Sequence, residues 1–331
     1  MIRILISSAG RRVELVNCFR QAAKDIGTDI KIFAMDIDPS WSPACYIADC
    51  ALDVSPCTDP GFVHEVSEIC EKNRIDLIIP TIDTELQIYA RFRKYFADNG
   101  VSVMVSAPDT IAITRDKERT AGLLMQHGIQ TPRTWKMNEV LGSDDTTLFP
   151  LILKPKDGSC SSGIMTIDSF QALTAVDVDS ERYIAQEKCQ GNEYTINTYY
   201  APDGTCVACV PHMRRFVRAG EVCFAETVRI PEFTTIAKQF SHIFEGICGA
   251  VCFQGFRDPD GNLRIFEINA RFGGGYPICD RAGGSFARWI LQETIGQEPD
   301  YHDGWIEGLR MLRYDAAIFS LDESDRYVLR V

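Results

Sequence analysis

The strongest constraint on this fold is a recurrence of short apolar runs in the first third of the chain. Residues 2–6, 30–35, 75–80 and 101–105 are such runs, and the stretches 11–25, 60–72 and 85–96 between them read as helices. A chain that alternates strand and helix in this way lays its strands parallel and covers the sheet with helices. Ligands of such sheets bind beyond the carboxyl ends of the strands. Residues 7–10, Asp36 and residues 81–85 fall there. A dinucleotide fingerprint wants three glycines in the first turn, whereas this turn has only Gly10, and Asp36 alone makes a poor ribose-binding signal.

The remainder of the chain reads differently. A helix is predicted over 116–127 and strands over 151–154, 183–187, 194–200 and 206–213. A helix over about 234–246 follows, then a hairpin over 251–270 turning at 258–261, and a last helix from Ser285. Strands joined by short turns predict antiparallel sheets. A chain of 331 residues, 45% of them hydrophobic, has ample material for two or three domains.

A formal charge of -12 argues against general nucleic-acid binding, because phosphate backbones want basic surfaces. Thirteen cysteines, odd in number and irregular in spacing, read as reduced thiols and give no support to a zinc ribbon or redox motif. The apolar run 2–6 is too short for a signal peptide and carries its basic residues on the wrong side, and no stretch approaches transmembrane length. A soluble, cytoplasmic protein is expected.

The chemistry concentrates in residues 266–271. Side chains alternate along a strand, so Glu267, Asn269 and Arg271 share one face. A carboxylate beside an amide oxygen offers hard-oxygen ligands suited to magnesium. An arginine one step on can hold a phosphate by paired hydrogen bonds. Alone, the segment reads equally well as a strand with a wet polar face. With a four-residue turn, Gln254 on the partner strand faces Ile265 and joins the same side, whereas a one-residue slip sends it to the other. Lys154 ends an apolar strand beside the small-residue loop 157–163, whose backbone N–H groups can approach phosphate oxygens. That loop lacks the Gly-Lys-Ser/Thr ending of a P-loop.

The ordered set is Lys117, Lys154 with its glycine-bearing loop, the Gln186-Glu187-Lys188 segment with Glu193, and Glu267-x-Asn269-x-Arg271. It resembles the ATP-grasp superfamily over about residues 108–296. Overall the chain resembles stand-alone proteins similar to the large subunit of carbamoyl-phosphate synthase. The resemblance implies a Rossmann-like parallel-sheet domain over 1–107. A two-part ATP-grasp domain with antiparallel sheets follows: a small subdomain with the phosphate lid over 108–190 and a large one with the metal site over 191–331. It implies ATP and one or two Mg2+ ions as cofactors, with Mn2+ able to substitute. Lys117 and Lys154 would contact the ATP phosphates, and Ser159, Ser161, Ser162 and Gly163 would close over them. Gln186, Glu187, Lys188 and Cys189 would edge the adenine, chiefly through backbone groups, and Glu193 would accept the ribose hydroxyls. Gln254, Glu267 and Asn269 would hold magnesium, while Glu267, Asn269 and Arg271 form the catalytic group.

Two departures stand out. Cys160 occupies the lid where a small residue is usual, and Gln254 stands where many members have an acid. The chain has one ATP-grasp unit, against two in carbamoyl-phosphate synthase.

For the substrate, the candidates are Arg214, Arg215 and Arg218, the glycines Gly274 and Gly275, and Arg281. The implied activity is ligation of a small-molecule carboxylate to an amine or related nucleophile through an acyl phosphate, with a homodimer as the family-level assembly. Alternatives are phosphorylation of bicarbonate or carbamate, and a non-catalytic nucleotide-binding regulator. Retention of Lys154, Glu267, Asn269 and Arg271 argues against the last.

Overall fold

The computed structural model describes residues 1–143, 145–158 and 162–320. Its first element, β1 (Ile2–Ser7), is buried on both faces, which is why it reads as a continuous apolar run rather than an alternating one. In chain order come α1 (Val13–Asp25), β2 (Ile30–Asp36), α2 (Pro43–Ile47), β3 (Cys50–Asp53), α3 (Phe62–Asn73), β4 (Leu77–Pro80), α4 (Asp83–Asp98) and β5 (Ser102–Val103). The five strands pair in parallel in the order β3-β2-β1-β4-β5. The order reverses between β1 and β4, so a crevice opens beyond their carboxyl ends.

That crevice is braced from within. The fully buried Glu85 accepts hydrogen bonds from Ser7 Oγ at 2.5 Å, Ser8 Oγ at 2.8 Å and Thr81 N at 2.7 Å, locking the loop after β1 to the start of α4. Asp36 is spent locally: it accepts from Gly10 N at 2.8 Å and Ile37 N at 2.9 Å.

The next elements are α5 (Pro108–Arg115), α6 (Lys117–Gln126), β6 (Thr134–Lys136), α7 (Met137–Leu141), β7 (Leu151–Pro155), β8 (Met165–Ile167), α8 (Phe170–Thr174) and β9 (Tyr183–Glu187). Asp116 caps α6, accepting from Glu118 N at 2.9 Å and Arg119 N at 3.0 Å. The four strands form an antiparallel sheet, β6-β9-β7-β8. It has its own small core, built on Leu151, Leu153, Ile167 and Leu173.

The last part holds β10 (Asn192–Tyr200), β11 (Cys206–Arg218), β12 (Glu221–Thr227), α9 (Pro231–Ile243), β13 (Gly249–Arg257), β14 (Leu263–Asn269), α10 (Tyr276–Ala282), α11 (Phe286–Thr294) and β15 (Arg310–Leu312). Its strands make a six-stranded antiparallel sheet, β14-β13-β10-β11-β12-β15. Two large cores run without a break from the parallel sheet into this one, the first through Phe33, Tyr89, Phe240 and Phe253, the second through Ile4, Phe19, Tyr199 and Trp289. The parallel and six-stranded sheets are therefore welded together, while the four-stranded sheet packs mainly on itself.

One reading of the sequence needs correction. The strand expected over 206–213 continues to Arg218 and turns through Ala219 and Gly220, both at positive φ, into β12. Cys206 and Cys209 are spaced C-x-x-C, but both lie in β11, where residues three apart point to opposite faces, so they form no paired-thiol motif. Among the described residues no three His, Cys, Asp or Glu side chains gather to hold a metal, and no helix is long and apolar enough to cross a membrane.

Candidate active site

The site is a cavity of about 390 Å³ between the four-stranded and six-stranded sheets, reached at its far end by the parallel sheet. Its floor is the β13–β14 hairpin. The turn there takes five residues, Arg257 pairing with Leu263, rather than the four expected. That slip alone would turn Gln254 away from the Glu267 face. A bulge at Phe266 adds a second slip and cancels the first, so Gln254 stands directly opposite Glu267, not Ile265.

Glu267, Asn269 and Gln254 thus share one face. The Gln254 terminal atom nearest Glu267 lies 2.9 Å from Oε2, and the other lies 3.3 Å from Arg214 Nη1. With nitrogen toward Glu267, both contacts are hydrogen bonds. With oxygen toward Glu267, two acceptors meet, and a cation resolves that conflict. Adjacent ligands on an octahedral magnesium with bonds of 2.0–2.1 Å are roughly 2.9 Å apart, so the spacing fits the ion. The donor set of one carboxylate and two amides is too sparse to cage a metal alone, which matches magnesium's habit of taking its remaining ligands from phosphates and water.

Two lysines sit over this floor. Lys117, the first residue of α6, donates to Gly158 O at 2.5 Å and lies 3.5 Å from Glu267 Oε1. Lys154, from β7, donates to Gln186 Oε1 at 2.7 Å and stands 5.3 Å over the Phe266 ring. Gln186 is anchored in turn, donating to Thr134 Oγ1 at 2.9 Å. Burial pulls the Lys154 pKa down to about 8; the Lys117 charge adds to the fall and Glu267 opposes it.

Glu187, Lys188 and Cys189 line the cavity edge beside Ile152, Phe256 and Phe266. The Glu187 carboxylate is committed elsewhere, accepting from Arg264 and from Arg133 N at 3.1 Å, and its backbone N–H donates to Arg133 O at 2.9 Å. Glu193 is paired with Arg214 Nε at 2.9 Å; burial raises its pKa, against the pull of Arg214. Ser162 lines the cavity and Gly163 follows it at positive φ, whereas Ser159, Cys160 and Ser161 lie outside the described residues.

Beyond Asn269 the cavity changes partners. Arg271 donates to Asp83 Oδ2 at 2.7 Å and to Asn269 Oδ1 at 3.2 Å. Burial would lower the Arg271 pKa, but the Asp83 charge outweighs it and keeps the guanidinium firmly protonated. The loop Gly273–Gly274–Gly275 passes so close to Cys252, Glu221 and His212 that a Cβ at each position would lie within 2.9, 2.3 and 2.6 Å of them. Glycine is therefore required by contact at 273 and 275, against the buried Cys252 and His212, whereas at 274 the part-exposed Glu221 carboxylate can swing aside. His212 is fully buried with Nε2 unpartnered, and burial drops its pKa to about 3, so the ring is neutral.

The structure brings only one of the four candidate arginines into the cavity. Arg214 lines it. Arg215, on the opposite face of β11, pairs with Glu226 at 3.0 Å, Arg218 pairs with Asp315 at 2.6 Å, and Arg281 is exposed at the end of α10. Strand alternation and the hairpin turn separate side chains that are neighbours in sequence. Gly274 and Gly275 do line it. Reading the sequence missed Arg12, Asp83 and Glu221, which reach the site from the turn before α1, from α4 and from β12. Position was the one advance signal, and only for two of them: residues 7–10 and 81–85 lie beyond β1 and β4 at the crevice, with Asp83 among them and Arg12 two residues past Gly10.

Comparison with known proteins agrees with this architecture. Residues 4–104 match the family described as PylC-like, N-terminal domain, and residues 114–275 match the family described as ATP-grasp domain. The carbamoyl phosphate synthase large chain of Thermoanaerobacter sp. (strain X514) is 23% identical over 247 residues, covering 68% of this chain and 23% of that protein. The D-alanine–D-alanine ligase of Pseudomonas putida (strain GB-1) is 27% identical over 205 residues, covering 54% of this chain and 63% of that protein. This chain thus spans less than two thirds of either relative. Among solved structures, the biotin carboxylase domain dimer of Hydrogenobacter thermophilus 2-oxoglutarate carboxylase superposes with a TM-score of 0.72 at 17% identity, covering 93% of this chain and 73% of that one.

Proposed function

We propose that this chain, a member of the ATP-grasp superfamily, is an ATP- and magnesium-dependent ligase that activates a small carboxylate as an acyl phosphate and joins it to an amine or related nucleophile. The observation that carries the reading is the alignment of Gln254, Glu267 and Asn269 on one face of the hairpin, beneath Lys117 and Lys154 and beside Arg271. The solved relative contains magnesium ADP and bicarbonate, which supports the same ligand class here.

In this reading Lys117 and Lys154 neutralise the ATP phosphates, and the loop through Ser162 and Gly163 covers them. Glu187, Lys188 and Cys189 edge the adenine, and Glu193 meets the ribose once it shares Arg214. Glu267 and Asn269, with Gln254 turned oxygen-first, hold one or two magnesium ions. Bound magnesium supplies charge neutralisation between the phosphates. Arg271, fixed by Asp83, steadies the transferring phosphoryl group, so catalysis rests on positioning and electrostatics rather than on a protein acid or base. The acid carboxylate takes up the phosphoryl group, and the nucleophile then displaces phosphate. We retain the division into 1–107, 108–190 and 191–331, a cytoplasmic location, and a homodimer by analogy with the dimeric relative.

The test is release of ADP and phosphate from Mg-ATP against a panel of amino acids, hydroxy acids and bicarbonate, with and without added amines. Release that needs both an acid and an amine supports ligation. A stable phosphorylated product instead of free phosphate would replace ligase with kinase.

A further inference from the structure

Most charges lining the cavity come in opposite pairs. Lys117 lies by Glu267, Arg214 by Glu193, Arg271 by Asp83, and Glu221 by Arg313 at 3.1 Å. Of the three lining cations without an ion pair among the described residues, Lys154, held by Gln186 Oε1, and Lys188 already have places at the nucleotide end, which leaves Arg12. Among the described residues its guanidinium makes one hydrogen bond, to Thr81 O at 3.1 Å, and no ion pair. A half-buried guanidinium without a carboxylate carries a desolvation cost, and that cost falls when an anion arrives. Burial, with help from the neighbouring Arg271 and against Glu221 and Asp83, brings its pKa down to about 10.

The surroundings fix which anion. Arg12 holds Thr81 O, two residues before the Asp83 that pairs with Arg271, whereas Lys117 stands by Glu267 and Lys154 over the Phe266 ring. Arg12 therefore enters the cavity at its parallel-sheet end, beside the Asp83–Arg271 pair rather than over the Glu267 floor where the nucleotide phosphates would lie. A planar five-donor fork there suits a carboxylate that lies beyond the reacting centre.

We propose that Arg12 is a binding residue for a spectator carboxylate, one that the reaction does not activate. This rests on the ligase reading and narrows its substrates to molecules with a second charged end. That carboxylate belongs either to a dicarboxylic acid or to an amino acid serving as the nucleophile. Glu221, already shared with Arg313, offers a nearby acceptor for an ammonium group and favours the amino acid.

The experiment uses the full chain with MgADP and two matched probe pairs, succinate against succinamide and glycine against glycinamide. Thermal midpoints are followed for wild type, Arg12→Gln and Arg12→Lys, and MgADP affinity is measured by calorimetry on each as a check of fold. A carboxylate probe should raise the wild-type midpoint, on the order of 3 °C at ten times its dissociation constant, while its amide does not. Arg12→Gln should lose that shift and Arg12→Lys keep part of it, with MgADP affinity unchanged throughout. A shift from succinate alone assigns the carboxylate to a dicarboxylic acid, and one from glycine assigns it to an amino acid. Equal shifts in wild type and Arg12→Gln would overturn the proposal, as would a wild type indifferent to both carboxylates up to tens of millimolar. A protein that fails to bind MgADP yet loses its carboxylate shift on Arg12→Gln would sink the nucleotide reading and leave the anion site standing.

Discussion

The two ends of the cavity are built on different principles. At the nucleotide end, the key groups stand on adjacent strands of small antiparallel sheets: Lys154 on β7 beside Gln186 on β9, and Gln254 on β13 opposite Glu267 on β14. At the far end, partners come from remote parts of the chain, as with Arg271 and Asp83, 188 residues apart. Strand register alone can set the first end, whereas the second exists only once the parallel and six-stranded sheets have docked. The near end should therefore fail by losing chemistry, and the far end by losing chemistry and stability together.

The largest effect expected is at the near end. Glu267→Gln keeps size and hydrogen bonding but removes the only carboxylate of the hairpin face, so turnover should fall by on the order of 10³-fold. Circular dichroism and the melting curve should hardly change. Activity near the wild-type level would remove the metal assignment.

Asp83→Asn tests the far end. It strips the counter-charge from a buried arginine, a loss that costs about 3–5 kcal/mol in comparable buried pairs. Its counterpart near the nucleotide, Glu187→Gln, breaks a half-exposed pair with Arg264 and should cost under about 1 kcal/mol. Urea unfolding of the two variants measures the contrast directly. Equal costs would mean that docking of the sheets does not depend on the far-end pair.

The same contrast explains what the sequence made legible. The alternating elements of the first third and the Glu267-x-Asn269-x-Arg271 face follow from side-chain periods within single elements. Gln254 came to the right face by a route the sequence hid, since the five-residue turn and the Phe266 bulge each shift the register and only their sum restores it. Arg215 and Arg218 misled because closeness in sequence along a strand is not closeness in space. Arg12 and Asp83 carry no period or spacing that points toward Arg271, and only tertiary packing reveals them.

A smaller effect is expected for Glu193→Ala. ATP affinity should weaken about tenfold through loss of a charge-assisted hydrogen bond, with turnover at saturating ATP changed less. Because Glu193 holds Arg214 in the free protein, part of the loss comes from releasing that arginine toward Gln254. Arg214→Gln should then recover some of the affinity, which titration calorimetry of the single and double variants can read. Unaltered ATP affinity would show that the ribose lies elsewhere.

The smallest effect separates the ends by pH. Lys154 titrates near pH 8 in the folded protein because of its burial, well below the unfolded value of 10.5. Between those values the unfolded chain holds more protons, so the stability lost to burying this lysine at pH 7 is recovered as pH rises from about 8 toward 10.5. Phosphates favour the charged form, so ATP binding near pH 8 should take up about half a proton, visible as a binding heat that varies with the ionisation heat of the buffer. ATP affinity should then decline as pH rises above that point. Arg12, titrating near 10, stays charged over the same range, so carboxylate binding should be level from neutral pH to about 9. A buffer-independent heat for ATP would mean that Lys154 does not meet the phosphates. A carboxylate affinity that fell in step with ATP would mean that the two ends titrate as one site.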